Sequence, residues 1–141
     1  MTCLASGIVL YRNAQKGPRL LVLRNAEHGQ WGFAKGRRAP QDEHEVHTAL
    51  REVAEETGFT GLSLHVAFRR EIAYTVAERD GSRTQKRVVY FLAEAPAHEP
   101  VLSAEHDSSR WIAASEIVVH LPHAALRDVA DAALDAAART A

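Results

Sequence analysis

The sequence predicts an α/β fold in which a mixed β-sheet is sandwiched between α-helices (α/β/α). Three observations carry this expectation. β-Prone apolar runs recur at Leu4–Tyr11, Arg19–Arg24 and Arg87–Ala95. One stretch among them, Glu43–Thr57, repeats its apolar residues at helical spacing. An alanine-rich segment with a single apolar stripe closes the chain. Strands, a helix, more strands and a final helix bury a sheet on both faces.

The elements follow in order. Leu4–Tyr11 and Arg19–Arg24 are strands joined by turn chemistry at Asn13–Pro18. Trp31–Ala34 is a short strand-like piece entering a loop over Lys35–Gln41. Asp42 has the chemistry of a helix N-cap, with Glu45 three residues on completing a capping box. Val46, Ala49, Leu50 and Val53 then fall at i, i+3, i+4 and i+7, and Gly58 stops the helix. Leu62–Phe68 alternates as a strand does, and Arg70–Val76 extends the sheet. Glu78–Lys86, with Asp80-Gly81 inside it, has the composition of a hairpin loop before the strand Arg87–Ala95. After a break at Ala97–Pro100, Arg110–Ile112 is extended and Ser115 caps a short helix through His120. From Pro122 onward Leu126, Val129, Ala130, Ala133 and Ala137 mark the buried face of a terminal helix.

At 141 residues the expectation is a single domain over 1–141. No apolar run is long enough to span a bilayer, and the N-terminus lacks the basic region of a secretory signal. The lone cysteine, Cys3, excludes an internal disulfide; it fits a reducing cytoplasm and the role of a small packed hydrophobe at the start of a strand. Net charge is −1, so no global field recruits nucleic acid or a membrane, and nothing implies an obligate protein partner. Local basic clusters stand at Lys35–Arg38, at Arg69-Arg70, and at Arg83 with Lys86-Arg87.

The acidic residues of the first helix are less ordinary. Glu52, Glu55 and Glu56 are i, i+3 and i+4, so their carboxylates leave one face. Like charges at these spacings repel by a few tenths of a kcal/mol per pair, roughly, and the helix C-terminus disfavours anions. A divalent cation resolves both conflicts. Carboxylates with no histidine or thiol at ligand spacing favour Mg²⁺, with Mn²⁺ as a substitute, over Zn²⁺.

The wider pattern is Glu43-x7-Arg51-Glu52-Val53-x-Glu55-Glu56-x-Gly58-Phe59. It resembles the Nudix box, G-x5-E-x7-R-E-U-x-E-E-x-G-U, where U is a bulky apolar residue. Arg37 occupies the box glycine position and Gly36 stands one residue early, which reads as a one-residue insertion in the loop Arg37–Asp42. The lead-in Trp31-Gly32-Phe33-Ala34-Lys35-Gly36 resembles the W-x-x-P-K-G segment of asymmetric diadenosine tetraphosphate hydrolases and of mRNA-decapping Nudix enzymes, with Ala34 in place of proline. Phe68–Tyr74, Lys86–Glu94 and Leu102–His106 leading to Arg110-Trp111 resemble the dinucleotide-hydrolase branch.

The resemblance implies a Nudix fold and metal-dependent hydrolysis of a phosphoanhydride bond in a nucleoside diphosphate derivative, most specifically diadenosine tetraphosphate giving ATP and AMP. Glu52, Glu55, Glu56 and the loop carboxylate Glu105 are the implied metal ligands. Glu56 or Glu105 is the general base, with Glu56 preferred, and Arg51 fixes a box glutamate by a charge-assisted bond. Lys35, Gly36 and Lys86 are implied phosphate partners; Tyr74 and Tyr90 are either core residues or stacking surfaces for adenine. His106 is either a phosphate donor or a solvated loop residue, and Trp31 and Trp111 are packing residues. Rival readings are a 5′-end RNA pyrophosphohydrolase, a MutT-like nucleoside triphosphatase, and a non-catalytic nucleotide sensor.

Overall fold

The computed structural model describes residues 2–140, with side chains from residue 4 onward, so the packing of Cys3 lies outside the described residues. β1 (Thr2–Ala14) and β2 (Gly17–Asn25) form a hairpin paired from Tyr11↔Leu20 to Ala14↔Gly17. β3 (Trp31–Gly32) adds to β2, and β4 (Ala34–Arg37) returns to pair with the first half of β1, Ala5↔Arg37 to Ile8↔Ala34. α1 (Glu45–Thr57) follows. β5 (Arg70–Ala77) and β6 (Arg83–Glu94) make a second hairpin, and β6 lies parallel to β1 from Thr2↔Gln85 to Tyr11↔Glu94. β7 (His106–Ile112) pairs antiparallel with β2. A 3₁₀ turn (Ala114–Glu116), α2 (Ile117–His120) and α3 (Ala124–Arg139) end the described chain.

The central strands are apolar at successive positions because both faces of the sheet are covered. Val9, Leu20, Val22, Val88, Tyr90 and Leu92 point to one face, where Val129, Ala130, Ala133 and Ala137 of α3 pack. Ile8, Leu10, Leu21, Leu23, Val89 and Phe91 point to the other, against Ala49 and Val53 of α1 with Val46 and Leu50 at its margins. The mixed sheet between helices is therefore the predicted α/β/α arrangement, with the predicted apolar stripes of both long helices facing inward. No helix among the described residues is long and apolar enough to cross a membrane.

Local differences from the sequence expectation have identifiable causes. Leu62–Phe68 is not a strand: β1 and β5 already flank β6, so this segment meets only the end of β6, through one bridge, Leu64↔Ala93. The loop before β6 is only 78–82, closed by Glu78 N–H donating to the Ser82 carbonyl at 2.8 Å; Arg83–Lys86 are in the strand. Lys35-Gly36-Arg37 is strand rather than loop, and β7 begins at His106, well before Arg110. The helix begins at Glu45, not Glu43, and its N-cap is His44, whose Nδ1 accepts from His47 N–H at 3.2 Å. Asp42 is drawn away from capping by Arg51, and Glu45 pairs with Arg69 instead of closing a capping box. Gly58 ends the helix as expected, with φ 75 in the left-handed region.

Candidate functional site

The acidic face of α1 does not present its carboxylates equally. Glu55 is on the outer side, its side chain 56% exposed and held by Arg51 Nη1 at 3.2 Å. Glu52 is mostly covered and receives the same Nη1 at 3.0 Å. Glu56 alone is truly buried, its side chain 3% exposed, and Lys35 N–H donates to its Oε1 at 3.3 Å. Of the three box glutamates only Glu56 lines the main cleft. The register explains the difference: Glu56 falls beside the buried Val53 and Thr57, whereas Glu55 projects about 100° further round the helix.

Arg51 joins this face to the loop before the helix. Its guanidinium donates to Asp42 twice, Nε to Oδ1 at 3.0 Å and Nη2 to Oδ2 at 2.9 Å, and Nη2 also donates to the Arg37 carbonyl at 3.0 Å. Asp42 Oδ2 further accepts from Thr48 Oγ1 and from Ala39 N–H. Arg51 holds the Asp42 carboxyl well below the usual carboxylate range, with the Ala39 bond adding to the effect. This relocates the extra residue in the motif. With Asp42 as the arginine's acid, Gly36-x5-Asp42 keeps the box spacing, and the insertion lies between Asp42 and Arg51; Glu43 is exposed.

Gly36 faces Glu52 at the closest point between β4 and α1. A Cβ there would lie 1.9 Å from both Cδ and Oε2 of Glu52, so the glutamate occupies space that only glycine leaves. Glu105 and His106 arrive from the other side, on the loop entering β7. Ala26 N–H donates to the Glu105 carbonyl at 2.8 Å, and a register shift between Arg24 and Asn25 stands opposite His106. Such irregularities re-aim side chains at a strand end. Glu56, Glu105 and His106 thereby bring one possible ligand atom each to within 4.8 Å of one another. His106 is not a solvated loop residue: its side chain is 12% exposed, and burial lowers its pKa from the ordinary value.

The charges explain what this cluster wants. Burial first, then the Glu52 carboxyl and the charges of Glu52 and Glu105, push Glu56 up to about 8. A buried carboxyl beside two others, an orphaned imidazole nitrogen and a glycine that clears the space together fit a divalent cation. The sign of the shift gives a prediction for metal-free protein. Folded Glu56 keeps its proton from its unfolded pKa near 4.5 up to about 8, so the folded state binds more protons in that window. Stability in chelator should then fall as pH rises from about 4.5 to about 8 and level off above. Urea titrations across that range should show the slope in wild type and a flatter profile in Glu56→Gln; parallel profiles would contradict it.

A cleft of about 660 Å³ runs from Glu56, Glu105, His106 and Lys35 to Tyr74, Leu126 and His123. Tyr74 and His123 face each other as near-parallel rings, 17° apart in plane with centroids 6.2 Å apart. Tyr90 differs from the expectation of a stacking surface. It lies on the floor of the cleft, 1% exposed and edge-on to Phe33, so the accessible ring is Tyr74. Lys86 is paired in register with Tyr74 and is outside the cleft lining. Trp31 packs edge-on to His120 and also lines the cleft. Sequence reading passed over His123, which no motif marks, and Asp42 as the arginine's partner, which the Gly36 spacing would have revealed.

The comparisons agree with this geometry. The chain is 38% identical over 90 residues to the mouse (Mus musculus) bis(5′-nucleosyl)-tetraphosphatase [asymmetrical], a stretch covering 61% of this chain and 57% of that protein. The rat (Rattus norvegicus) protein of the same name is 39% identical over 90 residues. The matched stretch is thus a little over half the length of these curated relatives. A Caenorhabditis elegans Ap4A hydrolase binary complex superposes with a TM-score of 0.79 at 27% identity, covering 90% of this chain and 91% of that one. An Escherichia coli dihydroneopterin triphosphate pyrophosphohydrolase shares the fold, with a TM-score of 0.75 at 20% identity over 95% of this chain and 96% of that one. The NUDIX domain matches residues 1–134, nearly the whole chain, and on that match the protein belongs to the NUDIX family.

Proposed function

We propose that this chain is a metal-dependent hydrolase that cleaves diadenosine tetraphosphate asymmetrically, to ATP and AMP. The observation that carries the reading is the cleft itself, with one acidic cluster around the buried Glu56 at one end and one pair of near-parallel rings at the other. A site with a single base clamp beside a single acidic cluster is asymmetric, and a symmetric substrate bound in it is cut off-centre.

Glu52, Glu56 and Glu105 would hold the cation, Mg²⁺ by the oxygen character of most donors, and Glu55 adds negative charge at the rim. When bound it would neutralise phosphate charge and make water a better nucleophile. The protein's own groups do the rest. Glu56 is the preferred base for a proton from water and Glu105 the competing one; the pKa of about 8 is that of the metal-free cluster, and a bound cation would hold the carboxylate charged. Water oxygen bonds to one phosphorus as the anhydride P–O bond breaks, and the polyphosphate leaves. Lys35, on β4 and in the cleft lining, supplies a point charge for the phosphate chain. Arg51 holds Glu52 and Glu55 against the Asp42 anchor and so acts as a positioning residue.

Tyr74 stacks on one base, with His123 on its other face. A base held between the two rings at about 3.5 Å from each needs roughly 7 Å between their planes, so the pair would part to admit one. A base stack is worth roughly 1–3 kcal/mol, about tenfold to hundredfold in binding. Tyr74→Ala should raise KM for the dinucleotide by that factor with kcat little changed, and Tyr90→Ala should instead lower stability. Steady-state kinetics with thermal melts of both variants check this; an unchanged KM in Tyr74→Ala would remove Tyr74 from the site.

The RNA 5′-end reading rests on the shared Trp31–Gly36 lead-in and the basic clusters, and part of those clusters is engaged elsewhere. Arg69 donates to Glu45 and Glu71, Arg87 donates to Glu71, and Arg38 bonds backbone carbonyls. A panel of dinucleoside polyphosphates, triphosphorylated RNA, nucleotide sugars and nucleoside triphosphates, with Mg²⁺, tests the assignment. Fastest cleavage of the dinucleotide is expected; faster cleavage of triphosphorylated RNA would overturn it.

A further inference from the structure

The histidine at the start of β7 has no place in a site read as all-carboxylate. His106 Nδ1 is fully covered yet has no hydrogen-bond partner, and a buried polar atom left unmet costs stability unless something fills the vacancy. Its nearest charged neighbour is Glu56 Oε1 at 3.9 Å, beyond hydrogen-bonding distance. Ligands about 2.1 Å from a shared ion lie roughly 3 Å apart when adjacent and about 4.2 Å apart when opposite. The separation of 3.9 Å falls between those two values, and Glu56, Glu105 and His106 lie within 4.8 Å of one another, so a small closing movement would gather them around an ion. The backbone that carries the imidazole is held. His106 N–H donates to the Ser103 carbonyl at 3.2 Å, Ala26 N–H holds the preceding residue, and the register shift at Arg24 and Asn25 turns the strand end toward the cluster.

We propose that His106 is a nitrogen ligand in the cation site formed with Glu56 and Glu105, so that this centre favours a first-row transition ion such as Mn²⁺ over Mg²⁺. The inference rests on the metal-dependent reading above and changes its donor set from all oxygen to mixed. Imidazole is a softer ligand than carboxylate and gains more on first-row transition ions than on magnesium.

The test is electron spin-echo spectroscopy of Mn²⁺ bound to the purified full chain, with Mn²⁺ and Mg²⁺ affinities measured by titration. Wild type should show ¹⁴N modulation from a directly bound imidazole, and labelling the histidines with ¹⁵N should convert it to ¹⁵N coupling. His106→Gln should abolish the modulation and weaken Mn²⁺ about tenfold or more while moving Mg²⁺ affinity less than threefold. The wild-type spectra do not depend on the variant folding. Mn²⁺ bound without nitrogen coupling would overturn this inference and leave the hydrolase reading standing. Coupling that persists in His106→Gln would also overturn it. A wild-type chain that binds no divalent ion would overturn both.

Discussion

Replacing Glu56 with glutamine is expected to lower kcat by a hundredfold or more and to leave the protein folded. The two parts have one cause. Glu56 is the most deeply buried carboxyl of the helix, pressed against Glu52 and facing Glu105, and burial and those neighbours push its pKa up to about 8. Glutamine keeps its shape, and Oε1 can still accept the Lys35 N–H bond, so removing the charge relieves repulsion in the metal-free state. Catalysis loses the charge that binds the cation and the group that takes a proton, and loss of one major electrostatic stabiliser costs about a hundredfold to a thousandfold in rate. Single-turnover rates beside thermal melts in chelator separate the effects. A folded Glu56→Gln with full activity would move the chemistry away from α1.

The second large effect is expected from a single methyl group. In Gly36→Ala the new Cβ would meet the Glu52 carboxylate at 1.9 Å, and the carboxylate, the free end of a side chain, must yield. Stability should change little. Alanine restricts the unfolded strand and contributes about 0.5–1 kcal/mol, while the mostly covered Glu52–Arg51 pair it disturbs is worth roughly as much. Activity should fall tenfold to a hundredfold, because about 1 Å of displacement in a positioned group costs that much. A Tm within a few degrees of wild type, with a depressed kcat and weaker divalent-ion binding, is the expected signature. Unchanged kinetics would show that Glu52 needs no fixed position. A large fall in Tm would show that Gly36 matters for strand packing instead.

What was legible in the sequence was whatever depends on local spacing. The acidic face of α1, its apolar stripe through Ala49 and Val53, the Gly58 stop and the alanine face of α3 follow from 3.6-residue periodicity. What the sequence hid was decided by long-range partners. Asp42 has the chemistry of a cap and becomes the arginine's acid because Arg51, one helical turn and more away, offers a bidentate fork. Leu62–Phe68 alternates like a strand, but it meets only the short end of β6 that runs on past its pairing with β5 at Tyr90, through the one bridge Leu64↔Ala93. Tyr90 and Tyr74 look equivalent in sequence; Tyr90 is on the interior strand β6 and Tyr74 on the edge strand β5, which puts one in the floor of the cleft and the other at its wall. His123 carries no motif and reaches the site at the start of α3, and His106, marked only by the Leu102–His106 resemblance, is turned to the cluster by a bulge.

The most direct test of the central claim is product analysis of diadenosine tetraphosphate hydrolysis in ¹⁸O-labelled water, with and without divalent metal. ATP and AMP in equal amounts, one of them carrying a single ¹⁸O, with no turnover in chelator, is the predicted result. Two molecules of ADP, or undiminished turnover in chelator, would contradict it.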